Sequence, residues 1–389
     1  LNWASAHSQA VQAPYQQFFT PTVAVTYLND DNLFRLPSGA TPPPFDGRDP
    51  RGDQSEITDV GFIFDEPFGQ QRVILNVDFA KYDYNAYKYL DFVGKNGTFD
   101  YLWTITPEIT GHVLYSRNQS LNSFTEFTTF GRNINTNSTR RIDADWAIAG
   151  ALHVGGAVYQ FVQTNTLPVF DYENVRINSV EGNVNLVSLA SNSFGAYGRS
   201  ANGDYLDVAS VPAAQIETNF TEHEIGLRAS YAVDGQTNFF AQLGYLSRDN
   251  AHYDSRNFSG LVGTAKWDWQ FTEKTSGNVT VSRSLSTYVS DTSSYVVTNK
   301  VSLGPTWSIS PKVNLSLVAQ DTQFQFKGPI TQAPSLRDDQ IRALVLKAVW
   351  SPVREFTLTP SFIYSNRRSN QPDLGFNDNL FSIVAKLSF

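Results

Sequence analysis

The chain has 389 residues, no Cys, no Met, 17% charged residues, a net charge of -8 and a mean hydropathy of -0.29. That balance removes thiol chemistry, disulfides and cysteine metal sites. It also disfavours a nucleic-acid partner and is too polar for a bundle of spanning helices. Aromatics make up 14%, with 28 Phe and 18 Tyr, and neutral polar residues are plentiful. A transmembrane barrel needs this mixture: a wet interior, a lipid-facing exterior and aromatic girdles. The missing initiator Met fits a processed chain from which an export signal has been removed.

Residues 1–17 are small and polar, hold Pro14 and show no periodicity, so they read as a periplasmic N-terminal lead-in. The first strand follows, with Val23, Val25 and Tyr27 on one face and Thr22, Ala24 and Thr26 on the other. A long polar loop then runs from Ser38 to Gly52 through Pro42-Pro43-Pro44 and Arg48-Asp49-Pro50-Arg51.

From there a rhythm sets in, long polar connections alternating with short turns such as Pro67-Phe68-Gly69-Gln70, Thr106-Pro107-Glu108, Asp234-Gly235-Gln236-Thr237 and Ser310-Pro311-Lys312. The last short turn is expected at Ser351-Pro352-Val353-Arg354. Trp103, Trp146, Trp267, Trp269, Trp307 and Trp350, six of the chain's 7 Trp, sit within a few residues of a short turn. An aromatic belt at one membrane face predicts that clustering.

About nine long and eight short connections imply about 18 strands near ten residues each, which suits a tilted crossing. The expected fold is therefore all-β: one transmembrane antiparallel β-barrel of outer-membrane type over residues 18–389.

The longest stretch without charge, Trp146 to Phe170, contains Gly155-Gly156, Gln160, Gln163, Asn165 and Pro168. It falls short of the roughly 20 apolar residues a spanning helix requires and reads as two strands and a turn. Alternation is clear at Val313-Leu315-Leu317-Ala319 and Phe356-Leu358-Pro360-Phe362-Tyr364. It is weak over residues 176–210. Between Arg342 and Lys347 both faces are apolar, so that strand has no evident orientation. The last strand places Phe381, Ile383, Ala385, Leu387 and Phe389 on one side and Ser382, Val384, Lys386 and Ser388 on the other. A terminal strand ending on Phe resembles the assembly signal of bacterial outer-membrane barrels.

Nothing points to a cofactor. There is no phosphate loop and no dinucleotide-binding glycine pattern. The five His (His7, His112, His153, His223 and His252) are scattered. Glu222-His223-Glu224 looks metal-like, but neighbouring strand residues point to opposite faces, so no metal site is expected there. The Ser-rich stretch Ser282–Ser294 lacks a nucleophile elbow, so no enzyme is expected.

Charges on the lipid face cost roughly 2–4 kcal/mol for Arg or Lys at the midplane, so inward is their default. Parity then sends Asp59, Asp65, Asp78, Arg141, Asp143, Asp145, Glu222, Glu224, Arg228, Lys266, Asp268, Arg367 and Lys386 into the lumen as candidate solute-path residues. Cross-strand pairing that stiffens the wall is the equal alternative. Neutral Asn, Thr, Ser and Gln between these charges suit a hydroxyl-rich or sugar-like solute.

The stretch Tyr27-Leu28-Asn29-Asp30-Asp31-Asn32-Leu33-Phe34-Arg35-Leu36-Pro37 resembles the first strand of EpsL-type barrels, which are encoded with exosortase and exopolysaccharide biosynthesis systems. Asp31, Asn32, Leu33, Phe34 and Arg35 carry that resemblance. It implies passive export of an extracellular polysaccharide across the outer membrane, driven by periplasmic or inner-membrane export components, with lipid and lipopolysaccharide around the barrel. A purely local role for the same residues stays open: Asp31 and Asn32 turning the chain, Leu33 and Phe34 packing, Arg35 pairing with a lumen carboxylate. The alternative to export is a general or sugar-selective diffusion porin; a barrel enzyme ranks last.

Overall fold

The computed structural model describes residues 18–42, 50–125, 130–207, 217–233, 235–287, 293–329 and 336–389. The expected lead-in of residues 1–17, His7, Pro43-Pro44, Arg48-Asp49 and Asp234 lie outside the described residues. The described chain forms one sheet of 18 antiparallel strands in which each strand pairs with its neighbours in sequence.

The strands are β1 (Phe19–Asp30), β2 (Asp53–Phe68), β3 (Gln71–Tyr84), β4 (Phe92–Thr106), β5 (Ile109–Leu121), β6 (Ile134–Ala149), β7 (Leu152–Thr164), β8 (Val175–Val187) and β9 (Ser193–Tyr205). They continue as β10 (Asn219–Ala232), β11 (Thr237–Asn250), β12 (Phe258–Thr272), β13 (Thr275–Thr287), β14 (Tyr295–Ser310), β15 (Val313–Lys327), β16 (Asp338–Val353), β17 (Phe356–Ser369) and β18 (Phe376–Ser388). β1 pairs with β18 from Thr22↔Ser388 to Asp30↔Leu380, which closes the cylinder and leaves no sheet edge.

Period-two alternation sets the two walls. In register across β17, β18 and β1, Phe362, Phe381 and Asn29 share the outer face, as do Pro360, Ile383 and Tyr27. Val25, Tyr27, Phe362, Phe381 and Leu387 are exposed on this face, as are Ile142, Ile225, Leu243 and Leu303 elsewhere round the barrel. Such apolar exposure is stable only against lipid.

Trp146, Trp267, Trp269, Trp307 and Trp350 lie outward at the short-turn end, the girdle expected from sequence. Gly69, Gly150 and Gly235 take positive φ at short turns, a conformation that side chains with Cβ resist. The last short turn falls at Arg354-Glu355, two residues later than Ser351-Pro352-Val353-Arg354 suggested, because a register shift between Trp350 and Val353 extends β16. Pairing also orients the strand that sequence left ambiguous. Leu344 and Leu346 face lipid opposite Tyr364 and Phe362, while Ala343, Val345 and Lys347 face inward.

The buried apolar cluster sits at the long-loop mouth. Phe34 and Leu36 of the β1–β2 connection pack on Tyr87 and Leu90 of the β3–β4 connection. Phe124 and Phe130 of the β5–β6 connection close over Phe34 with ring centroids 4.8 and 5.1 Å away. The β5–β6 connection reaches further still: Arg367, on the inner face of β17, donates to the Thr125 carbonyl. That contact crosses the opening, since six strand steps separate β5 from β17 round the wall.

A second narrowing comes from the β13–β14 hairpin. Pairing of β12 with β13 stops at Gly263↔Arg283. Beyond that point Leu285 and Val297 keep the outward parity of Val281 and Val301, yet Val297 is 1% exposed whereas Val301 is 50% exposed. The hairpin end bends into the barrel and lays that face on Leu246, Phe258 and Val262 of the inner wall.

Candidate functional site

Beneath the folded-in connections lies a cavity of about 960 Å³. Its lining comes from β1–β3, β5–β7 and β18, with Asn96 of β4 and the tip of the β13–β14 hairpin at Ser286 and Thr287. Amides dominate: Asn76, Asn96, Asn118, Asn122, Asn135, Asn137 and Gln163. Four charges join them, Asp59, Asp78, Glu173 and Lys386. Register explains the convergence. Lys386 pairs with Ala24, Ala24 with Asp59, and Asp59 with Ala80, so alternate residues of four consecutive strands point into one space. Asn96 donates to Asp78 at 2.8 Å, and Asn137 donates to Asn135 at 2.7 Å. The Asn137 side-chain oxygen is buried without a partner, so an acceptor faces the cavity unsatisfied.

The adjoining wall carries an ion-pair lattice on β8–β11. Arg248 meets Glu222 at 2.6 Å, and Arg199 bridges Glu222 at 3.2 Å and Glu224 at 2.9 Å. Arg228 reaches Glu181 at 3.2 Å. Tyr197 donates to Glu224 at 2.5 Å and accepts from Gln242 at 3.0 Å. Its hydroxyl sits against paired glycines: a Cβ on Gly226 or Gly244 would approach it to 2.7 or 2.6 Å. Glycine here makes room for the tyrosine.

Arg367 belongs to a third group, at the mouth, 3.8 Å from Asp339, which Arg337 also holds at 2.5 Å. The stretch Asp31–Arg35 closes the same rim. Asn32 receives the Leu36 N–H at 2.9 Å and donates to the carbonyls of Leu36 and Asn377 at 2.9 and 2.8 Å. Arg35, at φ 55, bridges Asp30 and Asp378 at 2.9 Å each. Its residues therefore turn the chain and pin the β1–β2 connection to β18.

The remaining expected residues are inward but dispersed. Arg141 pairs with Asp143 at 2.8 Å, Asp145 with His153 at 2.6 Å, Lys266 with Asp268 at 3.0 Å and Asp65 with Arg72 at 2.7 Å. Lys300, Lys347 and Lys386 point inward with no carboxylate in ion-pair range among the described residues.

Sequence reading missed Glu181, Arg199 and Arg248. Glu181 and Arg199 stand beside Gly182 and Gly198 in the region where alternation is weak, and Arg248 lies near the end of β11. The missed signal was spacing: Tyr197-Arg199-Ala201 and Glu222-Glu224 each keep period two. His112, His153 and His252 each stand near one carboxylate, in separate places, and His223 faces outward. These pairs assemble no nucleophile–base constellation among the described residues.

A closed barrel with an apolar outer belt, a polar interior and an infolded mouth defines an outer-membrane channel of porin type. Residues 240–389 match the model of the family described as "Putative beta-barrel porin 2". Three solved porin structures share the architecture. Pseudomonas aeruginosa OccK2 (OpdF), solved in complex with glucuronate, is 10% identical, with 95% of this chain and 98% of that chain covered and a TM-score of 0.51. A BenF-like porin from Pseudomonas fluorescens Pf-5 gives the same values, 10% identity, 95% and 98% coverage and 0.51. Pseudomonas aeruginosa OpdK with vanillate is 9% identical over 95% and 99% of the two chains, with a TM-score of 0.52. No curated protein matches the chain. At these identities the likeness is one of fold.

Proposed function

We propose that the barrel is a solute-selective diffusion porin for small hydroxyl-rich solutes, most simply neutral sugars. The amide-lined cavity of about 960 Å³ carries this reading. Its size is that of a small-molecule site. Neighbouring amides offer donors and acceptors in turn, which suits hydroxyls that both give and take hydrogen bonds. Asp59, Asp78 and Glu173 face one Lys386 there, so an anionic solute would meet more repulsion than attraction. OccK2 was solved with glucuronate and OpdK with vanillate, both small organic acids, and the acidic excess in this cavity argues for a different preference.

Export of an extracellular polysaccharide, the expectation attached to Asp31–Arg35, draws no support from the porin likenesses. Those residues are engaged in the rim, and the infolded connections favour small solutes over a polymer. The partners that export would require, a polysaccharide and inner-membrane or periplasmic components, belong to that reading.

Proteoliposome swelling tests the proposal. A neutral hexose should enter several-fold faster than a uronate of equal size. Asn96→Ala together with Asn137→Leu should reduce hexose flux more than the flux of a small ion. Faster uronate flux, or hexose flux indifferent to both substitutions, would refute the sugar preference.

A further inference from the structure

The outer wall carries a cationic patch that the channel does not use. Going round the barrel, the upper part of the apolar band is interrupted by Lys95 on β4, below exposed Val93, by Arg117 on β5 and by Arg140 on β6. Register fixes their side: Lys95 pairs with Phe79, which is 51% exposed on the lipid face, Arg117 pairs with Ser138, and Arg140 lies two residues above Ile142, 54% exposed on the same face. Gly97 pairs with Arg117, so each cation is the diagonal neighbour of the next, roughly 7–8 Å apart at the backbone. Between β4 and β8 every outward strand position is neutral or basic, and Arg176 adds a further cation on β8.

Some cations elsewhere on this wall are matched within the protein. Lys81 pairs with Asp83 at 2.8 Å, Arg342 with Asp321 at 3.0 Å, and Arg283 donates to Asn299 at 2.8 Å. The side chains of Lys95 and Arg117 have no such partner among the described residues. Arg140 rests over the Tyr115 ring, 6.0 Å from its centroid, and touches Gln160 at 3.3 Å. Three neighbouring cations without acids, held on the long-loop side of the lipid band, are complementary to phosphate groups of outer-leaflet headgroups. Guanidinium forks match phosphate oxygens in geometry as well as charge.

We propose that Lys95, Arg117 and Arg140 form a docking site for the phosphorylated headgroup of an outer-leaflet glycolipid. The proposal rests on the barrel's outer-membrane fold, not on the solute it conducts, so its failure would leave the sugar reading untouched. The test is native mass spectrometry of the intact barrel in detergent micelles, titrated with bisphosphorylated lipid A or with the same lipid after dephosphorylation. Wild type should retain the phosphorylated form preferentially. The variant K95Q/R117Q/R140Q should weaken that retention about tenfold or more, as basic groups at an anionic membrane surface do, whereas Arg342→Gln should leave it unchanged. Equal retention of both lipids by wild type, or undiminished retention by the triple variant, overturns the proposal. Should the triple variant not assemble, Arg117→Gln alone decides by the same comparison.

Discussion

Glu222 and Arg248 show what a lumen charge does in this wall. Both side chains are nearly buried, at 6% and 5% exposure, and they meet at 2.6 Å. Arg248 also lies over the Phe220 ring, 4.3 Å from its centroid, so its desolvation is offset by a carboxylate and by an aromatic face. Removing one partner leaves the other charge buried, which costs several kcal/mol. Arg199 still holds Glu222 at 3.2 Å, so Arg248→Met should cost about 3 kcal/mol, the low end of that range. The double variant E222Q/R248M should recover part of the loss. Urea unfolding from lipid vesicles, followed by Trp fluorescence, reads both; a fully additive double variant would show that the two residues do not couple. Glu222 and its inward direction were legible from alternation. Arg248 was not, because what singles it out is Glu222, 26 positions away and brought beside it only by strand pairing.

Among elements, the β13–β14 hairpin departs most from the regular wall. Its Ser-rich sequence gives no sign of the inward bend, and its apolar Leu285 and Val297 match the outward parity of lipid-facing neighbours. Only contact with Leu246, Phe258 and Val262 reveals that this face packs inside. The ring of Phe258 stands 5.6 Å from Tyr295 and fills the join. Phe258→Ala should therefore cost about 3 kcal/mol of hairpin docking. Hydrogen exchange should show residues 284–287 and 295–298 losing protection while β16–β18 keep theirs, and single-channel conductance should rise. Unchanged protection of the hairpin would mean that its packing against the inner wall does not hold it.

At the scale of the whole barrel, stability rests on two walls with opposite solvents. Adjacent residues of β16 make the contrast testable. Leu346 faces lipid beside Leu317 and Phe362, and Lys347 faces the lumen beside Ser316 and Ser361. Leu346→Arg should destabilise the folded barrel by about 2–4 kcal/mol. Lys347→Ala should change stability little while shifting ion selectivity toward cations. Folding titrations in vesicles and reversal potentials separate the two; similar stability losses at both positions would contradict the assigned orientation.

The sequence by itself determined the strand count, the closed all-β architecture and the side to which the expected charges point. These depend on a two-residue period, on turn residues and on where aromatics fall, all of which are local and forced by lipid on one side and water on the other. The tertiary structure alone decided which connections turn inward, which charges meet and where the amide-lined cavity opens. Those features depend on contacts such as Arg367 with Thr125, 242 positions apart. Such contacts form only after closure brings opposite walls face to face, and no local pattern in the chain records that proximity.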